Sequence, residues 1–261
     1  MSVRLIRLVA VLVLGILAAA GPALAESGLQ KILANGKLRV GTTGDFNPMS
    51  FKDPATNEYR GYDIDVVAQL AKDMEVELEL VPTDWKTLVN GVVADKYDIT
   101  TSASVNVQRA KVAGFSDGYV EFGTVPMTLS RNLGQFDGWQ SIDRPEVGVA
   151  VTLGTVFEQQ AKAFFPNARI VAVEAPARDY QEVLAGRALV SITSNVEAAN
   201  LVKTYPEMAV IAVDAARVRR PGAFLVRQDD QVLINFLNQW IGVQKLNGFF
   251  DELYAKWQIA R

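Results

Sequence analysis

Arg109 ends the stretch Ser104-Val105-Asn106-Val107-Gln108-Arg109, a few residues after the hydroxyls of Thr101, Ser102 and Ser104. A guanidinium presents its donors as a planar fork that matches both oxygens of a carboxylate, and hydroxyls add neutral hydrogen bonds to the same oxygens. This grouping can therefore grip a carboxylate. It also fits a solvated helix opened by Arg109 and Lys111, and the residues alone leave both readings open.

Two aromatic residues have the placement to complete such a site. Thr43-Gly44-Asp45-Phe46-Asn47-Pro48 is a loop in which glycine and proline shape a turn that presents the Phe46 ring. Trp85 heads the helical stripe Leu88, Val89 and Val92, so it is either a wall for an apolar or aromatic ligand body or a core anchor. Val151-Thr152-Leu153-Gly154-Thr155 is a strand followed by a glycine turn and a helix start, where free backbone N–H groups favour an anion. Thr155 adds a hydroxyl there, or caps the helix with Glu158 closing a capping box. Ser194-Asn195-Val196-Glu197 repeats that spacing. It too fits a capping box, or it aims Glu197 into the cleft as a buried carboxyl of raised pKa, a proton donor or a partner for a ligand cation.

Composition closes other routes. The 261 residues contain no cysteine and no histidine, so there is no disulfide framework, thiol nucleophile, imidazole base or histidine metal ligand. Serine-triad chemistry in its usual form is excluded, and no cofactor or metal site is expected. Residues 1 to 25 carry Arg4 and Arg7, an apolar run from Leu8 to Ala20, and Ala23-Leu24-Ala25, which reads as a signal peptide cleaved after Ala25. Removing those two arginines takes the formal charge from −3 to −5, and so nucleic acid is not an expected partner.

Strand-like runs alternate with helical periodicity, which predicts an α/β architecture with mainly parallel sheets flanked by helices. The first series has strands at Leu38 to Thr42, Val76 to Pro82 and Asp98 to Thr101, with helical faces on Ile64, Val67, Ala68 and Ala71 and on Trp85, Leu88, Val89 and Val92. A second starts near Val147, with strands at 147–152, 170–173 and 189–193. Two series imply two lobes: 26–124 with a return segment 217–261, and 125–216. Val120 to Ser130 and Val213 to Pro221 read as the crossings between them. Ligands of such sheets sit at the carboxyl ends of the strands, which is where the polar groups above fall.

In this order the chain resembles the family 3 periplasmic solute-binding proteins. The residues that carry the likeness are Leu38-Arg39-Val40-Gly41-Thr42, Gly61-Tyr62-Asp63-Ile64-Asp65, Tyr97-Asp98-Ile99, the Arg109 segment, Phe115-Ser116-Asp117-Gly118-Tyr119 and Gly154-Thr155. The resemblance implies a two-lobed fold that closes on its ligand, with ABC transporter membrane subunits as partners. It assigns the α-carboxylate clamp to Arg109, helped by Ser102, Ser104 and Thr155, with Phe46 and Trp85 flanking the side chain. Ser194 matches the position of an aspartate that holds the ligand ammonium.

Within the superfamily, Thr42-Thr43-Gly44-Asp45-Phe46, Pro82-Thr83-Asp84-Trp85 and Ser104-Val105-Asn106 resemble the cyclohexadienyl dehydratase branch. Glu197 matches that branch's general acid, whereas Val156, Phe157 and Ser194 replace a threonine, an asparagine and the aspartate. The expectation is a periplasmic receptor for a small carboxylate-bearing solute, amino-acid-like or an aromatic or keto acid. The alternative is a carbon-oxygen lyase, a prephenate or arogenate dehydratase using Glu197 as acid.

Overall fold

The computed structural model describes residues 26–259; the predicted signal peptide lies outside the described residues. Helix α1 (Gly28–Asn35), capped reciprocally by Ser27 and Gln30, leads into β1 (Lys37–Thr42). The short strands β2 (Asp45–Phe46), β3 (Ser50–Lys52) and β4 (Tyr59–Arg60) precede α2 (Tyr62–Asp73), and then follow β5 (Glu77–Pro82), α3 (Leu88–Val93), β6 (Ile99–Ser104) and the single turn α4 (Val107–Ala110). The long β7 (Ala113–Leu129) leads to a second series of β8 (Gly148–Thr152), α5 (Val156–Phe164), β9 (Arg169–Val173), α6 (Asp179–Leu184), β10 (Val190–Ser194) and α7 (Asn195–Thr204). Strands β11 (Met208–Val210) and β12 (Arg217–Arg227) return the chain to the closing helices α8 (Gln231–Leu246) and α9 (Phe249–Lys256).

The main sheet runs in the order β5-β1-β6-β12-β7-β10-β8-β9, with β11 also on β7. Strand β1 is parallel to β5 and β6, and β8 is parallel to β10 and β9. Each lobe is thus a parallel array with helical crossovers. The antiparallel strands β12 and β7 join the two arrays, because β12 pairs with β6 and β7, and β7 with β10. Strand β7 changes partner at Thr124, which lies opposite both Arg217 of β12 and Ser194 of β10. The strand expected from Val120 begins earlier because residues 113–120 also have a partner in β12.

Apolar periodicity explains the packing. Leu38 and Val40 of β1 and Val66, Val67 and Leu70 of α2 bury against Leu237, Trp240 and Ile241 of α8 and Phe250 of α9, so the closing helices pack on the first lobe. Val149 and Val151 of β8 and Val190 and Ile192 of β10 bury with Ala161 and Phe165 in the second. Gly61, with φ +134°, opens α2 where a Cβ would lie 2.2 Å from the Met49 carbonyl oxygen, so no other residue fits. One predicted boundary moves: α3 starts at Leu88, and Trp85 sits in the turn before it, where the Asp84 carboxylate accepts from the Thr87 N–H at 2.8 Å.

Candidate functional site

Residues at the carboxyl ends of strands from both lobes meet around a small cavity of about 20 Å³, room for a single water. Phe46 follows β1, Trp85 follows β5, Ser102 and Ser104 end β6, Arg109 lies on α4, and Thr155 precedes α5. These six sequence candidates line it together. Phe122, Val156, Phe157 and Arg178 complete the wall. Ser194 and Glu197 do not line it: Ser194 is fully buried as the cap of α7, accepting from the Glu197 N–H at 3.0 Å, and Glu197 stands behind Arg178.

The Arg109 guanidinium is held by backbone carbonyls. The Asn106 side chain caps its turn by accepting from the Arg109 N–H at 2.9 Å, which fixes the direction of the side chain. Its guanidinium donates to the carbonyl oxygens of Ser104 in one lobe and Gly154 in the other, both at 3.4 Å, long for such bonds. Among the described residues no acid neutralises it, and burial, with Arg220 nearby, lowers its pKa to about 10. Arg220 is also buried without an acid partner: it donates to Thr124 Oγ1 at 2.8 Å, lies 5.5 Å from the centre of the Phe157 ring, and is lowered to about 10 by burial. The wall at Arg109, with Arg220 near it, is therefore positive, and neither guanidinium has a counter-ion among the described residues. Trp85 and Phe122 meet Phe46 edge-on at 5.7 and 5.6 Å, which makes the opposite wall aromatic.

Behind Ser102 lies a buried network. The Ser102 N–H donates to the Tyr119 hydroxyl at 2.8 Å, and that hydroxyl donates to Asp63 Oδ1 at 2.8 Å. Burial pushes the Asp63 carboxyl up to about 7 against hydrogen bonds from the Ser102, Tyr119 and Thr101 side chains.

The other half of the site centres on Arg178, which precedes α6 and is buried. Its Nη2 donates to both Glu197 oxygens, at 2.8 and 2.9 Å. Its Nη1 donates to the Asp45 backbone oxygen and lies 3.1 Å from the Asp45 carboxylate, across the cleft in the first lobe. Its Nε lies 3.6 Å from Asp179. Trp85 Nε1 donates to the same Asp45 carboxylate at 2.9 Å, so ring and guanidinium share one anchor. Three carboxylates surround one cation. Burial, reinforced by Asp179, raises Glu197 to about 7 despite the pull of Arg178 and the hydrogen bond from the Thr193 hydroxyl.

Two expectations change. Glu197 is not a carboxyl open to the cleft, because both its oxygens are engaged by Arg178. The predicted capping box at Thr155 forms on one side only: Thr155 Oγ1 accepts from the Glu158 N–H at 3.4 Å, whereas the Glu158 carboxylate accepts from the Gly154 N–H at 2.9 Å. An acid of the protein thus occupies the N–H that the glycine turn was expected to offer an anion.

Arg178, Arg220, Asp45, Asp179 and Phe122 were not among the sequence candidates. Arg178 carried a usable signal, since a cation immediately before a helix opposes the helix dipole and needs a counter-charge elsewhere. Arg220 sits in Arg217-Val218-Arg219-Arg220, a basic run on a predicted crossing strand, which was a weaker signal.

Comparison with known proteins adds the family. The model of the bacterial extracellular solute-binding proteins, family 3, matches residues 38–260. Cyclohexadienyl dehydratase of Pseudomonas aeruginosa is 30% identical over 245 residues, covering 94% of this chain and 91% of that protein. The L-cystine-binding protein TcyJ of Escherichia coli K12 is 24% identical, covering 89% and 86%. The crystal structure of an ancestral amino acid-binding protein, a precursor of cyclohexadienyl dehydratase, superposes with a TM-score of 0.83 at 36% identity, covering 88% of this chain and 99% of that one. With a two-lobed fold and a family match over nearly all of the described residues, this chain belongs to the bacterial extracellular solute-binding proteins, family 3.

Proposed function

We propose that this protein captures a small carboxylate-bearing solute in the periplasm and presents it to the membrane subunits of an ABC transporter. The observation that carries this reading is Arg109: a guanidinium with no acid partner, aimed at a cavity with the hydroxyls of Ser102, Ser104 and Thr155 nearby and an aromatic wall opposite. A ligand carboxylate supplies the missing counter-charge, and the ring wall takes an apolar or aromatic body. The cavity is smaller than any such ligand, so binding requires the lobes to open and then close over it. The hinge we assign to β7 and β12, with one lobe spanning 26–124 and 217–261 and the other 125–216; the change of partner at Thr124 supports that division.

The test is a thermal-shift screen of amino acids, keto acids and aromatic carboxylates. A binder at 100 times its Kd adds about 2.7 kcal/mol to stability. Arg109→Ala should abolish the shift, and an intact shift in that variant would remove the clamp from the mechanism.

The dehydratase reading has one observation in its favour: Glu197 is raised to about 7, which leaves part of it protonated near neutrality. Against it, Glu197 faces Arg178 rather than the cavity, and Val156 and Phe157 line the wall where that branch carries polar residues. Steady conversion of prephenate to phenylpyruvate, or of arogenate to phenylalanine, lost in Glu197→Gln, would establish catalysis in place of capture alone.

A further inference from the structure

We propose that Arg178 is a built-in cation occupying the ammonium half of the cleft, so that the ligands of this protein are carboxylates without an α-ammonium: 2-oxo acids, 2-hydroxy acids and aryl-substituted carboxylates. The inference rests on the carboxylate-clamp reading of Arg109. A buried ammonium needs a carboxylate to offset its lost hydration. Of the acids near this cavity, Asp45, Asp179 and Glu197 are arranged around Arg178, Asp63 accepts from the Tyr119 hydroxyl behind Ser102, and Glu158 accepts from the Gly154 N–H and pairs with Lys162. The residue at the end of β10 from which a counter-charge would otherwise project is Ser194, whose hydroxyl is committed to capping α7.

The guanidinium is also well placed to stay. It forms part of the cavity wall itself, is buried, and binds the first lobe through Asp45 while anchored in the second through Glu197. An entering α-ammonium would have to displace it or lie among Arg109, Arg178 and Arg220. Both routes are costly, because the first breaks the bridge that Arg178 makes between Asp45 and Glu197 and the second sets like charges together. Burial, with the carboxylates beside them, pushes Glu197 up to about 7 and Asp179 upward against the pull of Arg178, so the cluster carries less negative charge near neutrality than three ionised carboxylates would. A 2-oxo or 2-hydroxy group carries no charge and meets no such barrier.

The experiment is calorimetric titration of the full mature protein with matched pairs: phenylpyruvate against phenylalanine, 4-methyl-2-oxopentanoate against leucine, and 2-oxoglutarate against glutamate. In each pair that binds, the oxo acid should bind at least tenfold tighter. An amino acid that binds as well as its oxo partner overturns the inference and leaves the clamp standing. If the protein binds neither these compounds nor any other carboxylate in the screen, the clamp reading fails and takes this inference with it. Arg178→Ala should shift the oxo-to-amino preference at least tenfold toward the amino acid, and free guanidinium should restore the original preference. An unchanged preference in a folded variant overturns the proposal. If that variant does not fold, the wild-type pairs decide.

Discussion

Replacing Gly154 by alanine should weaken ligand binding while leaving the rest of the molecule folded. Gly154 has φ +80° and lies where the turn after β8 meets the turn after β5: a Cβ there would stand 2.6 Å from both Lys86 Cα and Lys86 N and 2.7 Å from the Trp85 carbonyl carbon. Ordinary carbon contacts begin near about 3.5 Å, so the two turns must separate by about 0.9 Å. All three obstructing atoms are backbone and cannot swing aside. Overpacking of this kind costs roughly 1–3 kcal/mol. Because the clash exists only when the lobes are closed, it lowers apparent affinity by about 5- to 150-fold. The strain of alanine at positive φ, about 1–2 kcal/mol, is present in open and closed forms alike and appears in unfolding free energy rather than in Kd. Titration with the best carboxylate, together with solution scattering, separates the two effects: Kd should rise and the ligand-induced contraction should shrink. Unchanged affinity and full contraction would refute closure through this contact.

Other residues give independent checks. Asp63 holds a proton in the folded state up to about pH 7, whereas an unfolded aspartate ionises near 3.8, so stability should fall as pH rises between those values, by about 4 kcal/mol in total. Asp63→Asn removes that slope; urea denaturation at pH 4.5 and 7.5 should show the wild type losing ground to the variant, and a constant difference would contradict it. Leu237, fully buried against the first-lobe core, should cost about 2–5 kcal/mol on truncation to alanine, read from the same denaturation curves. Glu174→Gln breaks the Lys86–Glu174 pair across the mouth of the cleft at 2.9 Å. Both partners are exposed there, and stability should stay within about 0.5 kcal/mol. A larger loss would mean that surface charge holds the lobes shut.

The sequence displays the architecture well because period-2 and period-3.6 patterns are local. The strands at Leu38 to Thr42 and Val147 to Thr152 and the helix carrying Leu237 and Trp240 all follow from such patterns. The small sheet of β2, β3 and β4 does not, since its strands are two or three residues long, too short for any period to register. In the site, residues next to a strand end or a helix cap were visible. Arg178 and Asp45 were not, because they lie 133 positions apart in the chain and only the approach of the two lobes pairs them. The same pairing reorients Glu197: S/T-x-x-E spacing predicts a cap, and the backbone half of it forms, but a buried guanidinium offers that carboxylate more than a helix N–H does.

The most direct test of the carboxylate clamp is a crystal structure of the closed protein with the tightest-binding carboxylate in place. Both carboxylate oxygens should lie within about 3 Å of the Arg109 guanidinium nitrogens. The Arg178 bridge between Asp45 and Glu197 should remain intact beside it. A ligand carboxylate seated away from Arg109, or an Arg109 that has turned to an acid of the protein, would contradict the clamp.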